Sequence, residues 1–259
     1  METVDSLFLI WAAVLGASVG SFLNVCIARL PHGQSVVRPR SQCPGCGSSI
    51  AWYDNIPILS FLLLRGKCRN CKEPISWQYP AVEVAVFGIW VGMAIAYGPT
   101  PRGLQGAILF SLLFAIGITD ARHYLIPNAL SIGGVAAGLA LSLLPGQPSP
   151  LMSVTGAALG YVVLFVVGWL GEKTFKKPAM GGGDMKMMAM IGAFLGPVHA
   201  ILTIFLGALA GSVIFGPISL RTGKLVPFGV FLALGAGVAF VVGDMLIEWY
   251  VGYLRGTGV

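Results

Sequence analysis

Long apolar runs separated by short polar breaks dominate the chain, and one polar interruption is much longer than the others. A bilayer's hydrocarbon core is crossed by roughly 17–25 apolar residues in helical form. The pattern therefore predicts membrane helices over residues 6–28, 80–98, 103–121, 128–145, 152–171, 184–196, 198–217 and 227–252. The sixth is short and Gly196-Pro197 separates it from the seventh, so residues 184–217 read either as two helices or as one broken, re-entrant unit. Residues 6–28 have no basic flank before them and one behind, which predicts a retained anchor and not a cleaved signal. The long interruption, 29–80, is punctuated by Pro31, Pro39, Pro44, Pro57, Pro74 and Pro80, which end helices and mark turns. The expected organisation is a first membrane helix (1–28), a small polar module (29–80) and a membrane domain (81–259). Gly16/Gly20, Gly134/Gly138, Gly156/Gly160, Gly192/Gly196 and Gly207/Gly211 predict close helix packing. No internal repeat or low-complexity tract is apparent.

Composition agrees with a polytopic, all-α membrane protein of about eight helices. The chain is 56% hydrophobic and 10% charged, against about 25% charged in soluble domains. Of its 16 Lys and Arg, 14 fall in four places: 29–80, the turn at Arg122, 172–186 and 219–226. With eight helices those places share one side, which the positive-inside rule makes cytoplasmic, so both termini lie outside. Topology accounts for these cations without nucleic acid or anionic lipid, and no nucleic-acid partner is expected.

Cys43-Pro44-Gly45-Cys46 and Cys68-Arg69-Asn70-Cys71 are two Cys-Xaa-Xaa-Cys pairs within the polar module. Four thiolates complete a tetrahedral, structural zinc site. A cytoplasmic location disfavours disulfides, and two paired motifs in a proline-rich segment fit a redox motif poorly. Cys26 stands alone in the first helix as a packing residue.

Two aspartates carry the remaining chemistry. Asp184 follows Gly181-Gly182-Gly183 at the mouth of an apolar run, and Asp120 ends the third run. Both fall at the cytoplasmic face. Two carboxylates at one membrane depth can share a water and a proton, as in aspartic proteases. The bland alternatives are a helix cap at Asp184 and interfacial ion pairs with Arg122, His123 or Lys186. A helix N-terminus favours an anion and a C-terminus does not, so Asp184 is expected as the base that activates water and Asp120 as the acid. The glycines are expected to let a substrate strand or a moving helix pass close to Asp184. Glu83 is either an interfacial residue or functional.

These residues resemble the bacterial type IV prepilin peptidases, membrane aspartic proteases of the GxGD kind. The resemblance rests on Gly20-Ser21-Phe22-Leu23-Asn24-Val25, the cysteine pairs, Trp52 to Pro57, Pro74 to Glu83, Ile118-Thr119-Asp120, Ile126-Pro127-Asn128, Met180 to Lys186, and Val226-Pro227-Phe228-Gly229. It implies cleavage of a basic leader from prepilins and pseudopilins at the cytoplasmic face of a bacterial inner membrane, with Asp120 and Asp184 as the catalytic pair. It also implies N-methylation of the new N-terminus from S-adenosylmethionine. Glu83, Gly181, Gly183 and Lys186 are carried over as substrate or methylation residues. Asp54, Glu73, Glu83 and Glu172 are candidates for binding the basic leader. Three alternatives stand beside this: a peptidase whose zinc module only docks substrate, an ion-coupled transporter, and a structural adaptor. Oligomeric state is not legible.

Overall fold

The computed structural model describes residues 5–177, 180–222 and 227–256, and among them every regular element is a helix apart from two isolated β-bridges. Lys224 and Val226, counted above in the last basic place and the last motif, lie outside these residues. The helices are α1 (Ser6–Arg29), α2 (Leu59–Leu63), α3 (Gln78–Tyr97), α4 (Pro101–His123), α5 (Asn128–Leu141), α6 (Pro150–Phe175), α7 (Gly182–Thr222) and α8 (Phe228–Leu254). Six are long and apolar enough to cross a membrane, which makes this a multi-pass membrane protein, and the 14-residue α5 is apolar but shorter. The chain forms two compact units, Met1–Ser111 and Leu112–Val259, with α4 running across the boundary.

In the first unit α1 and α3 pack antiparallel through glycines. A Cβ at Gly16 would lie 2.7 Å from Trp90 Cβ, and one at Gly20 would lie 2.8 Å from Glu83 Cα. Only a bare backbone permits that approach. Trp90 then reaches the end of the unit, where its indole N–H donates to Ser111 Oγ at 3.1 Å.

In the second unit α6 and α7 meet along Gly156, Gly160 and Gly192, where added Cβ atoms would strike the facing backbone. Ser153 also donates its hydroxyl to the Ala193 carbonyl. Gly134 and Gly138 of α5 make room for Met190 and Phe194 of α7 in the same way.

The expected break at Gly196-Pro197 is a reversal inside α7. Gly196 has φ 80° and ψ 176°, outside the helical region, and Pro197 has no N–H to restore the ladder. Before the break Met188 and Gly192 lie along Gly160 and Gly156 of α6, and Gly196 lies near Met152. After it, His199 meets Gly243, Thr203 meets Gly235 and Gly211 meets Phe231 of α8. Gly183, at the start of α7, and Gly229, at the start of α8, both abut Ile126. A straight helix cannot satisfy these contacts, because 41 residues would extend about 60 Å at 1.5 Å each. The two predicted helices 184–196 and 198–217 are thus antiparallel arms of one broken helix.

Candidate active site

The turn between α4 and α5, and the first turns of α7 and α8, converge on Ile126. A Cβ at Gly183 would lie 2.9 Å from Ile126 Cβ, and one at Gly229 would lie 2.9 Å from Ile126 Cδ1. Ile126 is buried, and the elements packed on it carry or hold the two aspartates. Asp120, in the last turn of α4, is 6% exposed. Its carboxylate accepts the Val230 N–H at 3.2 Å and also the Gly229 N–H. Both N–H groups belong to the first turn of α8, where no carbonyl lies four residues back in the helix, and the Val230 N–H also reaches the Pro227 carbonyl at 3.2 Å. Gly229 permits the approach, since a Cβ there would come within 2.8 Å of Asp120 Oδ2.

Asp184 lies in the first turn of α7, not ahead of it. Its carboxylate folds back to accept the Gly181 N–H, as the acid of a capping box does. The Asp120 charge acts on Asp184, although the two residues stand 64 positions apart in sequence. The dipole asymmetry expected to separate base from acid is absent. Asp120 meets the N-terminus of α8 as well as the C-terminus of α4, so both aspartates sit on helix N-terminal N–H groups.

The glycines have different work from that expected. Gly183 admits Ile126, and Gly181 lies against the Asp184 carboxylate, with 3.0 Å from a Cβ there to Oδ2. Gly182 alone faces open space. Valine at Gly183 is expected to lower peptide cleavage about 100-fold, the cost of a misplacement near 1 Å. Alanine at Gly182 should leave the melting temperature of the purified protein unchanged. Lys186 donates from Nζ to Asn128 Oδ1 at 2.8 Å, tying the first turns of α7 and α5 together. Sequence reasoning missed the α8 donors and Ile126, although Pro127 and Pro227 mark the helix starts that supply them.

The first unit holds the other candidates. Gly20-Ser21-Phe22-Leu23-Asn24 serves α3. Gly20 admits the Glu83 backbone, the Ser21 hydroxyl bonds the Glu83 carboxylate, and Asn24 Nδ2 donates to the Tyr79 carbonyl at 2.9 Å. Glu83 is buried and also accepts the Ile58 N–H at 2.8 Å. Asn24 is 1% exposed, and its Oδ1 has no hydrogen-bond partner among the described residues. Of the acids expected to bind a basic leader, two are engaged. Glu83 is enclosed, and Asp54 makes a bidentate pair with Arg69 at 2.7 and 2.6 Å. That guanidinium holds the Asp54 carboxyl below its ordinary range, chiefly through the hydrogen bond. Glu73 and Glu172 are exposed.

Cys43, Cys46, Cys68 and Cys71 bring their sulfurs within 4.8 Å of one another, a group able to hold a metal ion. Cys43 Sγ and Cys71 Sγ stand 3.7 Å apart. Four thiolates at 2.3 Å around a tetrahedral zinc would be separated by about 3.8 Å, so the spacing fits. The thiols divide in their acidity. The Ser48 hydroxyl and N–H hold Cys46 down at about 6. Cys71 receives a hydrogen bond from the Glu73 backbone, yet burial and its three neighbouring thiols push it up to about 12.

The module also contains a repeat that the sequence reading passed over. Cys-Xaa-Xaa-Cys is followed at equal spacing by Ile50 and Trp52 in one copy and by Ile75 and Trp77 in the other. Cys43 N–H to Ser48 O (3.0 Å) matches Cys68 N–H to Glu73 O (2.8 Å), and Ile50 N–H to Ser41 O (2.9 Å) matches Ile75 N–H to Gly66 O (2.7 Å). Gly47 and Lys72 both take positive φ, 69° and 62°.

Residues 14–97 match the Bacterial Peptidase A24 N-terminal domain, and residues 107–216 match the Type IV leader peptidase family. Among relatives, a prepilin leader peptidase/N-methyltransferase of Myxococcus xanthus is 40% identical over 85% of this chain and 66% of its own length. Proteins of the same name are 36% identical in Aeromonas hydrophila, over 90% of both chains, and 35% identical in Stutzerimonas stutzeri, over 96% of this chain and 95% of that one. No solved structure matches. The chain belongs to the type IV leader peptidase family.

Proposed function

We propose that this chain removes the basic leader from type IV prepilins and pseudopilins at the cytoplasmic face of the inner membrane, and then methylates the exposed amino group from S-adenosylmethionine. The helix starts that carry Asp184 and hold Asp120 converge on one buried isoleucine, and this carries the first half of this reading. Two carboxylates whose charges act on one another can hold one proton between them. The ionised one takes a proton from water as the water oxygen attacks the scissile carbonyl carbon, and the other donates its proton to the carbonyl oxygen. Proton transfer to the leaving nitrogen then breaks the C–N bond. A precursor whose apolar helix stays in the bilayer presents its leader junction at the interface, which is where helix ends place both aspartates. A midplane ion site, as in transporters, would not use helix ends.

The four thiols fit zinc in spacing and donor type, and bound zinc would cross-link the two knuckles of the module. The methylation half of the reading is supported by the buried acceptors Glu83 and Asn24 Oδ1 on the facing sides of α1 and α3. Such a set suits a cationic amine, and Glu83 would take the proton that the amine must lose. S-adenosylmethionine, when bound, supplies the methyl group. Mass spectrometry of a prepilin treated with the purified protein and this donor should find the leader gone and one methyl added. Recovery of intact precursor defeats the proposal, and cleaved but unmethylated product reduces it to a peptidase alone. Glu83→Gln keeps an acceptor for the Ile58 N–H, so cleavage should persist while methylation falls at least about 100-fold, the usual worth of a positioned base.

A further inference from the structure

Residues 56–64, Ile-Pro-Ile-Leu-Ser-Phe-Leu-Leu-Leu, form an apolar island inside the otherwise polar module. They are far too few to span a bilayer, which takes about 20, and they contribute little to the module's interior. Burial is inverted here. Ser60, the single polar side chain, is 7% exposed, donating to the Tyr53 carbonyl and accepting the Ile56 N–H, both at 3.0 Å. Leu59, Leu62 and Leu63 are 57%, 63% and 81% exposed. Facing water, such a surface is costly; facing hydrocarbon, it is the favourable arrangement. The backbone is also closed on itself, with Ser60, Leu62, Leu64 and Gly66 N–H groups bonded to the carbonyls of Ile56, Ile58, Ser60 and Phe61. That closure is what low-water surroundings demand.

The position of the segment names its partner. Ile58 donates its N–H to Glu83, which lies past the first turn of α3, about 7.5 Å along the helix axis from Gln78. The segment therefore stands beside the opening turns of a membrane helix. Ile58 has φ 65°, a strained conformation for a β-branched residue, and the bond to Glu83 holds it there. Phe61 packs against Trp77 with ring centroids 4.9 Å apart, immediately before α3. Within the same module Trp52, Tyr53, Trp77 and Tyr79 are exposed, as are Arg65 and Lys67. Aromatic rings at the headgroup level and cations facing anionic lipid are the composition of a membrane interface.

We infer that residues 56–64 dip into the interfacial layer of the membrane and seat the cysteine module on the bilayer that α1 and α3 enter. The test uses the full-length protein in nanodiscs of phosphatidylcholine and phosphatidylglycerol carrying a diazirine phospholipid, with adducts mapped by peptide mass spectrometry. Peptide 56–65 should be labelled as heavily as the ends of α1 and α3. Leu63→Glu should cut that labelling about tenfold, the order of one leucine's transfer from water, with metal content unchanged. Labelling of 56–65 no greater than that of the polar stretch 33–51 overturns the inference, and wild-type protein alone decides this. Labelling that disappears when prepilin is added assigns the face to substrate and also overturns it.

Discussion

Asparagine at Asp120 or Asp184 is expected to lower prepilin cleavage at least about 1,000-fold in purified protein, and the double variant should be no worse than either single one. Asparagine matches aspartate in shape and keeps a carbonyl oxygen. It can still accept the Val230 N–H at position 120 or the Gly181 N–H at position 184, so the convergence on Ile126 survives and melting temperatures should hold. What it lacks is a proton to exchange. Acid–base groups are each worth about 100 to 10,000-fold, and groups that act as a unit are strongly non-additive. Single-turnover cleavage separates the outcomes. Either single variant retaining a tenth of the rate, or losses that multiply in the double, would show that the carboxylates do not work together. A pair that shares one proton gives a pH profile reporting constants of the dyad and not of one residue.

How far this site was legible depends on which groups build it. Both aspartates stand out in the sequence as charges beside apolar runs. Their partners do not, because the groups that hold Asp120 are backbone N–H donors of Gly229 and Val230, 110 residues away from it at Val230. A backbone donor has no sequence signature beyond the Pro227 that starts its helix. The dipole argument for Asp120 as the acid rested on α4 alone, and the N–H groups of α8 on the same carboxylate remove it. Gly181 and Gly183 were similarly legible as close contacts, but the contacts are with Asp184 and Ile126 inside the protein.

The membrane helices were read well where apolar runs are long, and the Gly196 reversal was visible because glycine and proline both break the ladder there. The run 128–145 was overextended: α5 ends at Leu141, with Ser142 as its C-cap. In the module, four cysteines gave away the cluster, whereas proline punctuation drew attention from the apolar residues 56–64. Their environment depends on which way each side chain faces, and the inverted burial of Ser60 and Leu63 appears only in three dimensions.

Cys43→Ser should strip the metal from the module and reduce methylation much more than cleavage. Cys43 is the buried member of the cluster, and its sulfur lies 3.7 Å from that of Cys71; serine offers a poor replacement for a thiolate. A four-thiolate site contributes about 10–16 kcal/mol of binding free energy in small zinc peptides, far more than the sparse core of the module supplies. Without it, the matched hydrogen bonds of the two knuckles have nothing to hold them in register. The consequence reaches α3, because Ile58 bonds to Glu83 and Phe61 packs on Trp77. Loss of the module removes one of the two ligands that orient the Glu83 carboxylate, leaving Ser21. Asp120 and Asp184 belong to the other compact unit and take their support from α7 and α8. Metal analysis should find less than about a tenth of the wild-type content, since one lost ligand opens a closed tetrahedral site. Methylation of the product should drop at least about tenfold with cleavage within about threefold, as expected when only one site loses its positioning. Equal loss of both activities would mean that the cysteine module supports the peptidase site as well, and undiminished methylation would separate Glu83 from the module altogether.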